Sequence, residues 1–475
     1  MDQLEERNDL PKGAFSADRK ITTGVAKTLY ATTSKQFEID SQTYKDLGLF
    51  DDNRNGSFLS LFSPTTTKSG NEMLITLLKS PVNDPEILET RRDCFLFFSK
   101  NKTELKHSQQ QMEMIEYYLA SQAPLLPNGF WETINSYILN NPTRKNDNYI
   151  IKTGITKILL LLKHLDNVCN AIGTEGVPDY LLHSILTIKN FIARPEISHM
   201  VLPDRQPGPD VYRRLDRFFR RDGKQHLDNI LEILYEFEAF EAVAKTVGRH
   251  KLSFPRYTQS QTSSVSIKGL FHPLIRNAIR NDFQLGNNQN LCVLTGANMS
   301  GKSTFLKSFG LAVYLSQAGF PVPAEDMETS IFNGLISTIN LSDNIEKGYS
   351  HFYSEVRRVK HTARQIKDRK KIVVICDELF RGTNVKEAYD ASLLITSAFA
   401  KIKSSLFLIS THIVEIGEEL KKYENIFFKC FQSKLKGEIA VYNHEIKDGI
   451  SADRMGLNIL KNENIIEILE EAVDG

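Results

Sequence analysis

The sequence predicts a two-part fold: a mainly α-helical region over residues 37–250, followed over 251–475 by an α/β domain with a largely parallel sheet. In the first part, apolar residues recur at the spacing of amphipathic helices. In the second part, short apolar runs typical of buried strands alternate with helical stretches. Such alternation favours a parallel sheet, because each helix crosses back to start the next strand. Residues 1–36 are weakly periodic and are predicted to form an N-terminal extension.

The helical spacing is clearest over residues 227–247. Apolar residues there lie mostly three positions apart, and the acidic residues Asp228, Glu232, Glu236 and Glu241 fall outside the apolar face. Further helices are predicted at 73–78, 88–96 and 151–172, loops at 124–148 and 202–209, a Ser/Thr-rich hinge at 259–266, and strands at 291–294, 372–376, 406–410 and 439–442.

Composition limits the class of protein. Of the 475 residues, 41% are hydrophobic and 25% are charged, which is ordinary for a globular chain. The net charge of +1 means that any nucleic acid must be held by local basic patches. The longest aliphatic run, Ile158–Leu162, is far shorter than the roughly 20 residues that span a bilayer. With five scattered cysteines and an N-terminus unlike a secretory signal, the chain is expected to be cytoplasmic, with no membrane partner.

One segment carries a phosphate-binding motif. Gly296–Ser303 fits the pattern G-x-x-x-x-G-K-[ST], between the apolar run Leu291–Leu294 and a helical stretch, Thr304–Gln317. Glycines let backbone N–H groups turn inward around phosphates. Lys302 is then expected to reach the β- and γ-phosphates, and the Ser303 hydroxyl to ligate Mg²⁺. The motif in this context predicts nucleotide binding.

Polar residues also follow two other predicted strands. Asp377 and Glu378 come directly after one of them, and His412 comes after the other. Beside a phosphate-binding loop, Asp377 can hold Mg²⁺ through its water shell. Glu378 can orient or deprotonate the attacking water, and His412 can contact the γ-phosphate. Glu378, Lys302 and His412 are therefore the candidate catalytic residues.

The motifs together resemble one family. The loop Thr295–Thr304 is similar to the T-G-P-N-M-x-G-K-S-T loop of the MutS proteins, ABC-type ATPases of DNA mismatch repair and recombination. Gly319–Ala324 resembles the family's G-x-x-V-P-A, Asp377–Thr383 its D-E-x-x-R-G-T, and Ser410–His412 its (A/S)-T-H. The combination is far more specific than the loop alone. It implies an ABC-type P-loop domain that uses ATP and Mg²⁺.

The resemblance also implies how the nucleotide is held. Phe283, downstream of His272, stands where an aromatic ring of the family stacks on adenine, and packing in the core is the alternative. His444 matches a histidine on the other side of the base. Flat rings can hold a base with little demand on its identity. The remaining residues expected to bind ATP are Gly296, Asn298, Met299, Gly301, Lys302, Ser303 and Thr304.

A further segment implies a dimer. Ser350 lies in Gly348–Phe352, which resembles the family's G-x-S-x-F. In the family, this serine reaches across a dimer to the partner's nucleotide. The resemblance therefore implies a homodimer with composite sites, in which Ser350 binds nucleotide in trans. His351 stands where the family usually has Thr, which is a departure beside that contact.

The resemblance is weaker in the first half. Ile39–Thr43 and Leu47–Phe50 look like the start of the MutS core, and Glu238–Ala244 looks like the end of its lever helix. Mismatch sensors of the family carry a mismatch-recognition domain and a connector domain before the core, whereas this chain starts at the core. It is expected to be a truncated form that lacks both domains.

DNA contact is expected at the densest basic segment, Arg213–Lys224. Its arginines, with Phe218 and Phe219 between them, suit contacts to the backbone of double-stranded DNA without sequence readout. A solvated helix face, or a contact to an acidic partner, is the alternative. The candidate residues are Arg213, Arg214, Arg217, Arg220 and Arg221.

These residues and the resemblance imply a MutS-like DNA-binding ATPase. It is expected to couple ATP binding and hydrolysis to DNA clamping, in mismatch repair or a related process of DNA repair or recombination. Two alternatives stay open. One is a protein that binds branched or recombination DNA without mismatch recognition. The other is a regulatory, ATP-binding partner of a full-length homologue.

Overall fold

The structure, a computed structural model, describes residues 29–30, 37–50, 57–126, 142–201, 207–260, 262–286, 288–339, 351–436 and 439–451. Within them, the first part of the chain is mainly helical and the second part combines two β-sheets with helices, as the sequence predicts. None of the helices in these ranges is both long and apolar enough to cross a membrane.

The helices before residue 251 pack around one long helix, α9, which contacts α2, α3 and α6. Capping residues set where helices begin. The Thr67 hydroxyl accepts a hydrogen bond from Gly70 N at 2.8 Å at the start of α2, and Asp84 followed by Pro85 starts α3. The helices are α1 (Ser41–Leu47), α2 (Lys68–Leu78), α3 (Pro85–Asn101), α4 (Gln109–Ala120), α5 (Pro142–Ile172), α6 (Asp179–Ile192), α7 (Pro195–Val201), α8 (Pro209–Arg217) and α9 (Lys224–His250), with a π-helical turn (Phe218–Asp222) between the last two.

The predicted helices are confirmed in α2, α3, α5 and α9, with two differences. Helix α5 begins at Pro142, inside the predicted loop 124–148, because proline is compatible with the first turn of a helix. Glu236 and Glu241, predicted to lie outside the apolar face of α9, are only 6% and 7% exposed. The Glu236 carboxylate accepts a hydrogen bond from the Tyr180 hydroxyl at 2.9 Å. Burial raises the pKa of Glu236 to about 8.

Seven strands form the main sheet, in the order β1-β7-β8-β9-β5-β10-β11. Neighbouring strands are parallel except for the β10–β11 pair, so the predicted parallel character is confirmed. A second, four-stranded sheet has the order β2-β6-β3-β4. The strands are β1 (Glu38–Ile39), β2 (Arg256–Thr258), β3 (Ser264–Leu270), β4 (Asn281–Gly286), β5 (Leu291–Gly296), β6 (Asp326–Ser330), β7 (Gly334–Thr338), β8 (Ile372–Asp377), β9 (Leu406–Ser410), β10 (Ile426–Lys436) and β11 (Ile439–Asp448), and the helices of this part are α10 (Lys302–Ala318), α11 (His351–Arg369), α12 (Val385–Ala400) and α13 (Ile416–Leu420).

Helix α10 runs through the core between the two parts. From Phe305 to Ala318 nearly every residue is buried, and the helix contacts α1, α2 and α3 as well as strands of the main sheet. The central strands β5, β8 and β9 are covered on both faces, which is why each is a continuous apolar run in the sequence.

The boundary between the two parts differs from the prediction. Strand β1 pairs in parallel with β7 at the edge of the main sheet, with Glu38 opposite Gly334. The Asp46 carboxylate accepts hydrogen bonds from Ser337 Oγ at 2.6 Å and from Ile339 N at 2.9 Å. Residues 37–50 therefore complete the second part, although the sequence places them in the helical region. A two-residue strand has no periodic signal, and its partner lies far away in the sequence.

The predicted Ser/Thr-rich hinge at 259–266 is wrong in its second half. Residues from Ser264 onward form β3, which lies between β6 and β4 in the four-stranded sheet. The Ser263 hydroxyl donates to the carbonyl of Ser404 at 2.8 Å. Serine-rich composition predicted a flexible linker, but these backbone and hydroxyl groups are hydrogen bonded.

Candidate functional site

The candidate site lies at the carboxyl edge of the main sheet. Strands β5, β8 and β9 are neighbours and parallel, so that Ser410 lies opposite both Leu294 and Asp377. The segments that follow these strands meet at one edge, which is where ligands bind in open α/β sheets. They are the phosphate-binding loop, the pair Asp377–Glu378 and the pair Thr411–His412.

Left-handed backbone shapes the phosphate-binding loop. The φ angle is 149° at Gly296, 66° at Met299 and 112° at Gly301. Glycine adopts this region freely, and a Cβ atom on Gly301 would lie 3.2 Å from Nδ1 of His444. Met299 adopts it at a cost of about 1 kcal/mol, with a side chain that is 76% exposed. Strain of this kind is typical of ligand-binding loops.

Lys302 closes the loop from inside. Its Nζ donates hydrogen bonds to the carbonyls of Gly296 at 2.8 Å and Ala297 at 3.1 Å. The same atom lies 3.8 Å from Oε1 of Glu378, and the lysine side chain is 5% exposed. Burial lowers the pKa of Lys302, while the negative charges of Glu378 and Asp377 oppose that shift. The ammonium group therefore connects the loop to the carboxylate pair.

Asp377 is held by two hydroxyl groups. Ser303 Oγ donates to Oδ2 of Asp377 at 2.6 Å, and Ser410 Oγ donates to Oδ1. The hydroxyl of Ser303 and the carboxylate of Asp377 together form the kind of oxygen donor set that Mg²⁺ prefers. Sequence reasoning missed the role of Ser410. Its signal was a hydroxyl residue at the end of a strand that neighbours the strand of Asp377.

Glu378 lies among three positively charged or ionisable groups. Its carboxylate is 3.8 Å from Lys302, 3.6 Å from Arg381 and 3.6 Å from Nδ1 of His412. The neighbouring His412 is the main reason that the pKa of Glu378 is lowered, and Glu378 in turn raises the pKa of His412. The backbone N–H of Glu378 donates to Ser410 O at 3.1 Å and fixes this turn. Glu378 is therefore ionised at neutral pH, as a general base must be.

The two predicted base contacts have different surroundings. The Phe283 ring is 3% exposed and packs against Phe305 and Phe309, with ring centroids 5.1 and 5.4 Å apart. The structure thus places Phe283 in the core, which corrects the prediction that its ring faces the base. His444 is exposed beside the phosphate-binding loop, with Nδ1 2.9 Å from the carbonyl oxygen of Ser300.

Three other residues are predicted from the sequence to bind the nucleotide. Asn298 is exposed in the loop, and Thr304 is half-buried in the first turn of α10. Ser350 lies outside the described residues, which resume at His351, the first residue of α11. Its contact in trans therefore stays a prediction.

The basic segment is divided between buried and exposed side chains. Arg220 is 8% exposed, and its Nη2 lies 2.7 Å from the fully buried carboxylate of Asp216. Phe218 and Phe219, predicted to assist DNA binding, are core residues. These placements correct the prediction for Arg220 and for both rings, because a structural ion pair and core packing already use them. Arg214, Arg217 and Arg221 are exposed, while Arg213 is half-buried and pairs with Asp210.

Comparison with known proteins gives one family. The family model for MutS domain V matches residues 292–474. The DNA mismatch repair protein MutS of Thermotoga maritima is 27% identical over 245 residues, which cover 50% of this chain and 30% of that protein. For MutS of Petrotoga mobilis the values are 27% over 256 residues, 52% and 31%. For MutS of Anaplasma phagocytophilum they are 32% over 192 residues, 40% and 23%. The chain thus spans about a third or less of the length of these relatives.

Proposed function

We propose that this chain, which belongs to the MutS family, is an ABC-type ATPase. The proposed enzyme couples ATP binding and hydrolysis to the clamping of DNA. The observation that carries the proposal is the meeting of Lys302, Asp377 and Glu378 at one edge of the main sheet. Lys302 Nζ lies 3.8 Å from Glu378, and Ser303 Oγ lies 2.6 Å from Asp377. A phosphate-binding lysine, a cation-binding pair and a base are the groups that phosphoryl transfer to water requires.

ATP binding would use the loop and the start of α10. Backbone N–H groups of the loop and the positive end of the helix dipole would bind the phosphates, and Asn298, Met299 and Thr304, which are exposed or half-buried, would also contact the nucleotide. Lys302 would exchange its bonds to the Gly296 and Ala297 carbonyls for bonds to the β- and γ-phosphates. His444, whose Nδ1 lies 2.9 Å from the carbonyl oxygen of Ser300, would stack on the base.

Ser303 and Asp377 fit Mg²⁺, since both present hard oxygen atoms. When bound, Mg²⁺ neutralises charge on the β- and γ-phosphates. Ser303 would supply its hydroxyl oxygen, and Asp377 would hold the ion through water. Ser410 keeps Asp377 oriented by donating to its second oxygen.

Hydrolysis would depend on Glu378. Its ionised carboxylate would accept a proton of the attacking water as the water oxygen bonds to the γ-phosphorus. The bond between that phosphorus and the β–γ bridging oxygen would break in the same step, so that ADP leaves with the bonding electron pair and inorganic phosphate is released. Arg381 and His412, each 3.6 Å from that carboxylate, would supply positive charge to balance the negative charge that develops on the phosphoryl oxygens. Because Glu378 raises the pKa of His412, the imidazole is more often charged here than in water.

DNA binding and dimer formation complete the proposed function. The exposed arginines Arg214, Arg217 and Arg221 suit the backbone of double-stranded DNA, and Arg213 borders them. Ser350 would bind the nucleotide of a second copy, which makes a homodimer the working form. The curated relatives are named as DNA mismatch repair proteins, and this chain would act in that process or in a related one.

Substitution Glu378→Gln tests the enzymatic part. We expect ATP affinity to stay within about threefold of the wild type and kcat to fall by about 10²–10³, because the amide cannot accept the proton. Steady-state hydrolysis and nucleotide titration measure the two effects. Glu418→Gln, at a side chain that is 71% exposed and outside the site, is the matched control. Turnover retained by Glu378→Gln would show that the assignment of the base is wrong.

The same variant tests the DNA-binding part. Glu378→Gln with ATP is expected to sediment as a dimer and to bind duplex DNA in a salt-dependent manner. Homoduplex, mismatched duplex and four-way junction DNA should be compared at several salt concentrations. Preference for the junction would favour the branched-DNA alternative. Weak, equal binding to all three, unaffected by ATP, would contradict a DNA-directed function and favour the regulatory partner.

A further inference from the structure

The carbonyl groups at the C-terminal end of α10 all accept hydrogen bonds from donors outside the helix. The last four carbonyls of a helix have no partner inside the helix. Here Leu315 O accepts from Phe320 N at 2.9 Å, and Ser316 O accepts from the Tyr257 hydroxyl at 2.7 Å. Gln317 O accepts from Val82 N at 2.8 Å, and Ala318 O accepts from Arg91 Nη1 at 3.0 Å. Two of these four donors, Val82 and Arg91, belong to the helical region.

Arg91 is fully buried at this end. Its Nε donates to Leu29 O at 2.8 Å, and its Nη1 donates to Ser80 O at 2.7 Å as well as to Ala318. Its partners in the described ranges are uncharged oxygen atoms. Burial lowers the pKa of Arg91 only to about 10, so the guanidinium remains charged at neutral pH. A positive charge at the C-terminal end of a helix is favoured by the helix dipole.

The backbone also comes close to α3 at this point. Gly319 has a φ of 77°, and a Cβ atom there would lie 2.8 Å from the Cβ atom of Arg91. The next residue, Phe320, packs on Phe95 of α3 with ring centroids 4.8 Å apart. Phe95 packs on Phe240 of α9 at 5.4 Å. A continuous contact therefore leads from the end of α10 through α3 to α9.

The opposite end of α10 carries the candidate site. The helix has 17 residues and is therefore about 25 Å long. Lys302 and Ser303 occupy its first turn, and Ala318 is its last residue. A buried helix moves as a unit, because its packed surface does not deform continuously. A shift of α10 at its phosphate-binding end should therefore also move its other end, beside Arg91.

We propose that Arg91 is a positioning residue that couples the nucleotide site to α3 and α9 by holding the C-terminal end of α10 against the helical region. The inference rests on the proposed nucleotide binding and deepens it, because it names where nucleotide occupancy reaches the helices. Nucleotide can shift the helices only if the two arrangements of the helices bind it differently. The guanidinium donates hydrogen bonds to Ser80, just after α2, and to Ala318, at the end of α10. A change between the two arrangements of the helices therefore either keeps or breaks these hydrogen bonds.

Hydrogen exchange of the wild-type protein provides the first test. A slowly hydrolysed ATP analogue with Mg²⁺ is added, and nucleotide binding is measured on the same sample. We expect the exchange rate of the Val82 amide and of amides in α3 and α9 to change by about threefold or more. Binding without any change in these helices overturns the coupling alone. Absence of binding overturns the proposed function, and this inference with it.

Substitution of Arg91 provides the second test. Arg91→Lys keeps the charge and removes the fork that reaches Ser80 and Ala318 together. We expect nucleotide affinity within about threefold of the wild type, and an exchange response in α3 reduced by about threefold or more. Arg91→Gln, which keeps a planar donor group, is a second variant. The exchange response of α3 in whichever of the two variants folds decides the test. Lys100→Arg is the control, because Lys100 is exposed on the same helix, α3, and the substitution keeps its charge.

A purely structural role gives a different result. In that case the Arg91 variants melt at a lower temperature, but nucleotide still changes exchange in α3 as it does in the wild type. That outcome overturns the proposal, and so does an exchange response of Lys100→Arg that is as small as that of Arg91→Lys. Should neither Arg91 variant fold, the response of the wild-type Val82 amide, which bonds to Gln317 beside Arg91, decides.

Discussion

The two ends of α10 are built in opposite ways. At the N-terminal end, Met299 is strained and 76% exposed, and the buried hydroxyl of Ser300 has no hydrogen-bond partner within the described part of the chain. At the C-terminal end, each of the last four carbonyls has a donor, and Arg91 is fully buried. Polar groups at the N-terminal end are therefore available to a ligand, whereas the carbonyl groups at the C-terminal end stabilise the fold.

This difference separates the effects that substitutions should have. A residue that serves the ligand can be replaced with little loss of stability, because its contacts form fully only in the complex. A residue that seals a junction cannot be replaced without leaving a buried polar group unsatisfied. Measuring both affinity and stability for each variant therefore tests whether the contrast is real.

The largest effect is expected for Lys302→Ala. Loss of the ammonium group should weaken ATP binding by about 100-fold or more, which is about 2.7 kcal/mol or more. The stability of the nucleotide-free protein should change by less than this, because the loss of the hydrogen bonds from Lys302 to Gly296 and Ala297 is offset by the removal of a buried charge. Titration with a fluorescent ATP analogue and thermal unfolding measure the two quantities.

Lys307→Ala is the control for that experiment, because Lys307 lies further along the same helix. It should bind the nucleotide as the wild type does. If Lys302→Ala lost several kcal/mol of stability and little affinity, the N-terminal end of α10 would resemble the C-terminal end, and the contrast would fail.

The basic segment offers the same contrast at neighbouring positions. Arg220→Ala should lower the free energy of unfolding by about 2 kcal/mol, because it leaves the buried carboxylate of Asp216 without its charged partner. Arg217, whose side chain is 56% exposed, should tolerate the same change with no more than about 0.5 kcal/mol. Urea unfolding of the two variants measures the difference.

DNA binding should follow the reverse order. Arg217→Ala should reduce the salt dependence of DNA binding by about one phosphate contact. Folded Arg220→Ala should keep the salt dependence of the wild type. Equal losses of stability in the two variants would mean that the ion pair of Arg220 with Asp216 is not structural.

The sequence predicted the N-terminal end of α10 well, because its chemistry is local. Gly296–Ser303 contains the loop, the lysine and the hydroxyl, and the flanking strand and helix have clear periodicity. The partners of that loop could be placed too, since Asp377 ends one apolar strand and His412 follows another. The neighbouring Ser410 was missed, because its role depends on the register between β8 and β9.

The C-terminal end of α10 could not be predicted in this way. Arg91, Val82 and Tyr257 are far from Ala318 in the sequence, and only the packing of the chain brings them together. Phe283 illustrates the same limit, because its position in a motif does not show which way the ring points. Packing against Phe305 decides that.

A smaller effect than that of Arg220→Ala is expected at the junction of β1 with the main sheet. Asp40 pairs with Arg358 and lies 3.3 Å from Nε2 of His361. Burial alone would raise the pKa of Asp40, but these two partners lower it well below its ordinary value of 3.8. A lowered pKa in the folded state means that the carboxylate stabilises the fold above about pH 3.8 and loses this effect as the pH falls through the folded-state pKa.

Asp40→Asn should therefore lower the free energy of unfolding by about 1 kcal/mol at pH 7, and this deficit should narrow only below pH 3.8. Urea unfolding from pH 7 to pH 3 measures this deficit, with Asp93→Asn, at a part-exposed ion pair, as the control. A deficit that is constant over this range would contradict the ionic role of Asp40, and a loss of ATP affinity would place this junction with the ligand-binding end of α10.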